Sequence, residues 1–178
     1  MKIYYQHPNT WFGDCMPFGK DDTFYLFHQR DTRVPCPFGE PFGWDLATTK
    51  DFVTYEDCGV AIPRGTDEEQ DQFIFAGSIC EDREGKYHAF YTGYCLTAEY
   101  QQTICHATSE DGITWTKDAA NPVITPMIEL YEKLDWRDPY VFYNEEDKCY
   151  WILISARRLD MPVTRRGCIV LYLSLIHI

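Results

Sequence analysis

Short apolar strands alternate with polar turns along this chain, and the pattern repeats at intervals of sixty residues, as the offset 107 − 47 = 60 shows. Residues 47–55 and 107–115 share the phrase Ala-Thr-x-x-Asp-x-x-Thr and end on Tyr55 and Trp115. A hairpin pattern, with an apolar strand, a polar turn and an aromatic-rich strand, recurs three times. It covers residues 13–27, 77–91 and 137–154.

Four short strands in a unit of this length are typical of a β-propeller blade. The hairpin supplies the first two strands, residues 104–108 the third, and an outer strand is predicted to end at Trp115. No amphipathic helix is evident. The pattern therefore predicts an all-β propeller.

The first strand of each propeller blade lines the central channel, and the repeat aligns Asp14, Ser78 and Asp138 on three such strands. Two carboxylates facing one axial cavity suit glycoside cleavage, in which one attacks or stabilises and an acid protonates the leaving oxygen. Arg137 beside Asp138 is expected to keep that carboxylate ionised by lowering its pKa.

The composition of the chain restricts the classes of ligand that it can bind. The net charge is −12, from 28 acidic and 16 basic residues, which argues against nucleic acid or an anionic membrane as partner. Aromatic residues make up 16% of the chain and can stack on sugar rings. We expect a neutral ligand such as a carbohydrate; the pattern does not address oligomeric state.

Cofactor and targeting signals are lacking. The eight cysteines show no Cys-x₂₋₄-Cys spacing and the five histidines are scattered, so we expect reduced, mostly buried cysteines, no metal and no cofactor. The first residues carry no apolar leader, and no apolar run is long enough to cross a membrane. A cytoplasmic location is expected, with secretion of the whole protein as the alternative.

Four motifs resemble glycoside hydrolase family 32, the β-fructosidases. Trp11-Phe-Gly-Asp14 is similar to the family's Trp-Met-Asn-Asp-Pro-Asn-Gly, and Phe27-His-Gln29 to its Phe-Tyr-Gln. Phe75-Ala-Gly-Ser78 resembles Phe-Ser-Gly-Ser, and Arg137-Asp-Pro139 matches Arg-Asp-Pro. The resemblance implies a five-bladed propeller, of which about three blades lie within residues 1–172.

The resemblance also implies roles. A retaining hydrolase of sucrose, inulin or levan would use Asp14 as nucleophile and Asp138 as transition-state stabiliser. The implied substrate-binding residues are Trp11, Gln29, Trp44, Phe75, Ser78 and Arg137. The chain departs from the family at Gly13, where the family has an Asn that contacts the fructose ring.

The family's general acid, the Glu of a Glu-Cys motif, is expected beyond residue 178, so this chain alone is expected to be inactive. Residues 173–178 are expected to be a non-native tail, because an Asp-Gly-x-x-Trp phrase should follow the third strand of the blade. Two alternatives stay open, namely a propeller glycosidase for arabinose- or xylose-type sugars and a carbohydrate-binding propeller without catalysis.

Overall fold

The computed structural model describes residues 4–8, 10–35 and 37–174. The only helical element among them is a 3₁₀ turn at Val163–Arg165, and no helix there is long and apolar enough to span a membrane. Eleven strands make up the rest of the regular structure. They are β1 (Trp11–Lys20), β2 (Thr23–Asp31), β3 (Trp44–Thr49), β4 (Tyr55–Ile62), β5 (Phe73–Glu81), β6 (Tyr87–Tyr94), β7 (Gln102–Ser109), β8 (Thr116–Lys117), β9 (Tyr131–Asn144), β10 (Cys149–Arg158) and β11 (Gly167–Ser174).

The strands form three antiparallel sheets, each a meander of neighbouring strands. Their orders are β1-β2-β3-β4, β5-β6-β7-β8 and β9-β10-β11. We call them blades 1, 2 and 3. The first strands, β1, β5 and β9, line one groove of about 580 Å³. The predicted propeller is confirmed, with three blades in the described part of the chain.

The repeated Ala-Thr-x-x-Asp-x-x-Thr phrase forms the same turn in blades 1 and 2. Asp51 and Asp111 each accept the backbone N–H groups two and three residues ahead, at 2.8 and 2.7 Å in both turns. These bonds hold residues 110–115 in a turn, so the outer strand β8 begins at Thr116. The prediction that this strand ends at Trp115 was wrong, because the turn chemistry of Asp111 competes with the sheet ladder.

Each inner strand carries a β-bulge at the same end of its blade, where two of its residues face one residue of the neighbouring strand. The bulged pairs are residues 13–14, 75–76 and 138–139, facing Gln29, Thr92 and Ile154. Bulges bend a strand and redirect its side chains, and they are common beside active sites. Both Asp14 and Asp138 are therefore bulge residues.

The bulges correct the repeat alignment. The first regular pair after each bulge contains Cys15, Gly77 or Tyr140, so Ser78 corresponds to the next residues, Met16 and Val141. Asp14 lies one residue before Cys15, whereas Asp138 lies two residues before Tyr140, so Asp14 corresponds to Pro139 and Asp138 to Gly13. The prediction that Asp14, Ser78 and Asp138 occupy equivalent positions was therefore wrong. A comparison of sequence letters carries no information on strand pairing, which sets the structural equivalence.

Apolar side chains fill the spaces between blades. One buried cluster joins blades 1 and 2 and includes Trp44, Leu46 and Tyr91. A second joins blades 2 and 3 and includes Phe90 and Trp136. Because each sheet buries a face against the next, hydrophobic burial fixes the spacing of the inner strands.

The seven described cysteines are free thiols, four of them buried; Cys36 lies outside the described residues.

Of the predicted non-native tail, residues 175–178 also lie outside the described residues. Residues 173 and 174 belong to β11, where they pair with Trp151 and Tyr150.

We predict that Asp111→Ala lowers the free energy of unfolding by about 1–2 kcal/mol, because two turn N–H groups lose a charged acceptor. The N–H groups of Thr114 and Ile113 lower the pKa of Asp111 to about 2. Its stabilisation is therefore complete above about pH 4, the pKa of an unfolded Asp, and is lost as the pH falls towards 2. Urea unfolding at several pH values measures both effects.

Glu110→Ala is the control, since it alters the same turn but removes only the exposed Lys86–Glu110 ion pair at 3.1 Å. It should cost less than about 1 kcal/mol. Equal losses in the two variants would contradict the role given to Asp111.

Candidate active site

A cavity of about 300 Å³ opens at the bulged end of the inner strands. It combines two carboxylates, one guanidinium, one amide, one threonine and two aromatic rings. Its lining residues are Asp14, Phe38, Phe75, Thr92, Gln102, Arg137 and Asp138. Four of the eight predicted site residues, Asp14, Phe75, Arg137 and Asp138, therefore meet in one cavity, and Gln29 contacts one of them.

Gln29 holds Asp14 within blade 1. The Asp14 N–H donates to Gln29 Oε1 at 3.2 Å, and Gln29 Nε2 lies 3.5 Å from Asp14 Oδ2. Gly13 makes this possible, because a Cβ at residue 13 would lie 2.6 Å from Gln29 Oε1 and 2.8 Å from Gln29 Cβ. An Asn at position 13, as in the family motif, would displace the Gln29 side chain.

Asp138 is held across the boundary between blades 2 and 3. Its φ of 57° lies in the left-handed region that non-glycine residues rarely adopt. Its N–H donates to Thr92 Oγ1 of blade 2 at 2.8 Å. The Asp138 side chain is 45% exposed, so its carboxylate stays open to the cavity.

The electrostatics of Asp138 differ from the expectation. Burial is the largest influence and raises its pKa, Arg137 lowers it, and Asp14 raises it; the net shift is upward. Arg137 lowers the pKa of Asp138, as predicted, but burial and the Asp14 carboxylate outweigh its effect. The guanidinium is shared, with Nη1 2.8 Å from Asp135 Oδ1 but Nε 3.5 Å from Asp138 Oδ2.

Besides Gln29, three predicted substrate contacts lie outside this cavity. Trp44 is 0% exposed and packs in the core between blades 1 and 2, where its Nε1 donates to the Phe75 carbonyl at 3.0 Å. The prediction that Trp44 contacts the sugar does not fit that position, because its ring is buried in the hydrophobic core and has no surface open to a ligand. Ser78 is buried further along the channel, and its Oγ accepts the Val141 N–H at 3.0 Å.

Trp11 lies at the start of β1 and does not line the cavity. Trp11 is 57% exposed, and the Arg33 guanidinium lies 5.6 Å from its ring centroid. It is available to a ligand larger than the cavity.

Sequence reasoning missed three lining residues, Phe38, Thr92 and Gln102. Phe38 lies in the loop between β2 and β3 and packs edge-to-face on Phe75, with ring centroids 5.2 Å apart. Thr92 and Gln102 are on the second and third strands of blade 2. No single motif marks them, because they reach the cavity only when blade 2 packs against blade 3.

Paired carboxylates on bulged inner strands of neighbouring blades, with aromatic and amide groups around them, define the class of β-propeller glycoside hydrolases. The family model for the glycosyl hydrolases family 32 N-terminal domain matches residues 5–175. The chain belongs to glycoside hydrolase family 32.

The sequences of known relatives agree with this family membership. The chain is 34% identical over 152 residues to a levanase of Bacillus subtilis, covering 78% of this chain and 20% of that protein. It is 32% identical over 162 residues to an extracellular exo-inulinase of Aspergillus niger, covering 75% of this chain and 29% of that protein. The chain thus spans less than a third of the length of these relatives.

A solved structure supports the fold. The fructan 1-exohydrolase IIa (E201Q) of Cichorium intybus, in complex with 1-kestose, superposes with a TM-score of 0.78 at 21% identity. The match covers 97% of this chain and 31% of that chain. The three blades therefore have the fold of the matching part of that structure.

We predict that Asp14→Asn lowers the pKa of Asp138, because it removes a negative charge that raises it. Arg137→Gln should raise the same pKa further. Titration of the Asp138 side-chain carbon by NMR measures both shifts.

Asp22→Asn, in the exposed turn between β1 and β2, is the matched control and should leave the Asp138 titration unchanged. An unchanged titration in Asp14→Asn would mean that the two carboxylates do not interact across the cavity.

Proposed function

We propose that the protein containing this chain hydrolyses β-fructosides of the sucrose, inulin or levan type with retention of configuration. The observation that carries the proposal is that Asp14 and Asp138, from different blades, line one cavity together with Arg137. Family membership supports the substrate class, since the levanase and exo-inulinase named above are the relatives that the chain matches.

Asp14 is the proposed nucleophile. Its carboxylate would attack the anomeric carbon of the fructosyl unit while the bond to the leaving oxygen breaks, and water would then hydrolyse the covalent intermediate. The bond from its N–H to Gln29 supports this role, because the bulge and the amide together fix where the carboxylate lies. A fixed carboxylate lowers the activation free energy, because the entropy of aligning it with the substrate is already lost on folding.

Asp138 is proposed to bind sugar hydroxyl groups and to stabilise the oxocarbenium-like transition state. A carboxylate that accepts hydrogen bonds from sugar hydroxyl groups binds the ring more strongly as positive charge develops on it. Arg137 and Gln102 add donors around the same space, and the Phe38 and Phe75 rings offer an apolar wall for the C–H face of a sugar.

The general acid is proposed to lie outside residues 1–178. No glutamate lines the cavity among the described residues, and Glu145 and Glu146 lie in the exposed turn between β9 and β10. Without an acid, the leaving oxygen departs unprotonated, which typically costs about 10²–10⁴-fold in rate. The 178-residue chain alone is therefore proposed to be inactive.

We predict that Asp14→Asn lowers kcat of the complete gene product on sucrose, inulin or levan on the order of 10⁴-fold, a loss typical of removing a nucleophilic machinery. Asp138→Asn should cost about 10²–10³-fold, as expected for a transition-state contact. Initial rates on these substrates, and NMR of the first anomer released, measure activity and retention.

Asp22→Asn is again the control and should keep the unmodified rate. An unchanged rate in Asp14→Asn would refute its role as nucleophile. Hydrolysis by residues 1–178 at the rate of the complete product would show that the acid lies within this chain.

A second candidate is a propeller glycosidase for arabinose- or xylose-type sugars, and the observation that favours it is Gly13. Gln29 occupies the space into which a residue-13 side chain would project, so the family's Asn contact to fructose has no counterpart here. Turnover of aryl arabinofuranosides or xylosides, but not of sucrose, inulin or levan, would select this alternative. Saturable binding of fructose with no turnover of any substrate would select a binding propeller.

A further inference from the structure

The backbone at Asp138 needs support that its own blade does not provide. The residue has a left-handed φ of 57° and lies in a bulge opposite Ile154, where the ladder between β9 and β10 is interrupted. A non-glycine residue persists in such a conformation only when its surroundings over-determine it. The partner of the Asp138 N–H is therefore decisive for where its carboxylate lies.

That partner is the hydroxyl of Thr92, on β6 of blade 2. Thr92 is 0% exposed. Its Oγ1 accepts the Asp138 N–H at 2.8 Å and donates to the Ala76 carbonyl at 2.9 Å. One hydroxyl thus joins the bulge of blade 2 to the bulge of blade 3, using both its acceptor and its donor capacity.

Gln102 on β7 adds a second bond from the same blade. Its Oε1 accepts the Trp136 N–H at 3.3 Å and lies 3.4 Å from Arg137 Nη1. Residues 136–138 are therefore held by two side chains of blade 2. Asp14 differs, because its N–H bonds to Gln29 of its own blade.

We propose that Thr92 is a positioning residue for Asp138, acting across the boundary between blades 2 and 3. Its hydroxyl fixes the left-handed backbone of Asp138 and so directs the carboxylate towards Asp14 and the shared cavity. Although Thr92 borders the cavity, it is 0% exposed and its hydroxyl is already bonded to the Asp138 N–H and the Ala76 carbonyl, so it acts through Asp138. That Thr92 fixes the backbone of Asp138 is independent of the proposed function. That this contact affects catalysis rests on the proposed function.

Two substitutions separate the hydroxyl from the shape of the side chain. Thr92→Val keeps the volume but removes the hydroxyl, which leaves the Asp138 N–H and the Ala76 carbonyl without their partner. Thr92→Ser keeps the hydroxyl and should rescue. Thr103→Val is the matched control, since Thr103 is also 0% exposed, on the adjacent strand β7, and its side chain interacts with Cys105 rather than with Asp138.

The first readout is structural and uses the chain itself. In Thr92→Val we expect an upfield shift of the Asp138 amide proton and faster hydrogen exchange there, together with a smaller effect of Asp14→Asn on the Asp138 titration. Thr92→Ser and Thr103→Val should resemble the unmodified chain. If Thr92→Val does not fold, the unmodified chain still decides, because the Asp138 amide should exchange slowly and show a nuclear Overhauser contact to a Thr92 hydroxyl proton.

The second readout is kinetic and uses the complete gene product with sucrose. Thr92→Val should lower kcat about 10²-fold, the typical cost of misplacing a catalytic group by about 1 Å, with KM changed far less, and Thr92→Ser should recover most of the rate. An Asp138 amide that exchanges freely in the unmodified chain, or that responds equally to Thr92→Val and Thr103→Val, would overturn the proposal. A product that hydrolyses no glycoside would refute the proposed function alone, and the amide measurements would still decide the role of Thr92.

Discussion

The β-bulge in each inner strand is the constraint on which the site depends. A regular ladder would turn alternate side chains towards and away from the channel along a straight strand. The extra residue bends β1 and β9 at Asp14 and Asp138 and places both carboxylates at the cavity. The bulges interrupt backbone pairing, so polar groups freed from the ladder must find other partners.

Side chains opposite the bulges supply those partners. Gln29 faces the bulge of blade 1 and accepts a hydrogen bond from the Asp14 N–H. Thr92 faces the bulge of blade 2 and accepts a hydrogen bond from the Asp138 N–H of blade 3. The apolar clusters between blades set the distance at which these bonds can form. Hydrophobic packing therefore determines the spacing, and a few buried hydrogen bonds determine the orientation.

The raised pKa of Asp138 follows from the same arrangement. Burial is the largest cause, and the Asp14 carboxylate in the same cavity further disfavours the charged form of Asp138. Arg137 offsets only part of this, because Asp135 lies closer to its guanidinium. Charge at the site is thus a property of four residues and of burial, rather than of the Arg-Asp pair that is adjacent in the sequence.

The sequence by itself determined the repeat, the all-β propeller, the family and the two carboxylates, because strand alternation, turn residues and short motifs are local patterns. Only the tertiary structure decided which aromatic residues are core and which line the cavity. Trp44 and Phe75 both occur in strands, yet Trp44 is fully buried and Phe75 reaches the site. The equivalence of Ser78 and the roles of Thr92 and Gln102 depend on bulges and on contacts between blades, which join residues far apart in the chain and leave no local signature.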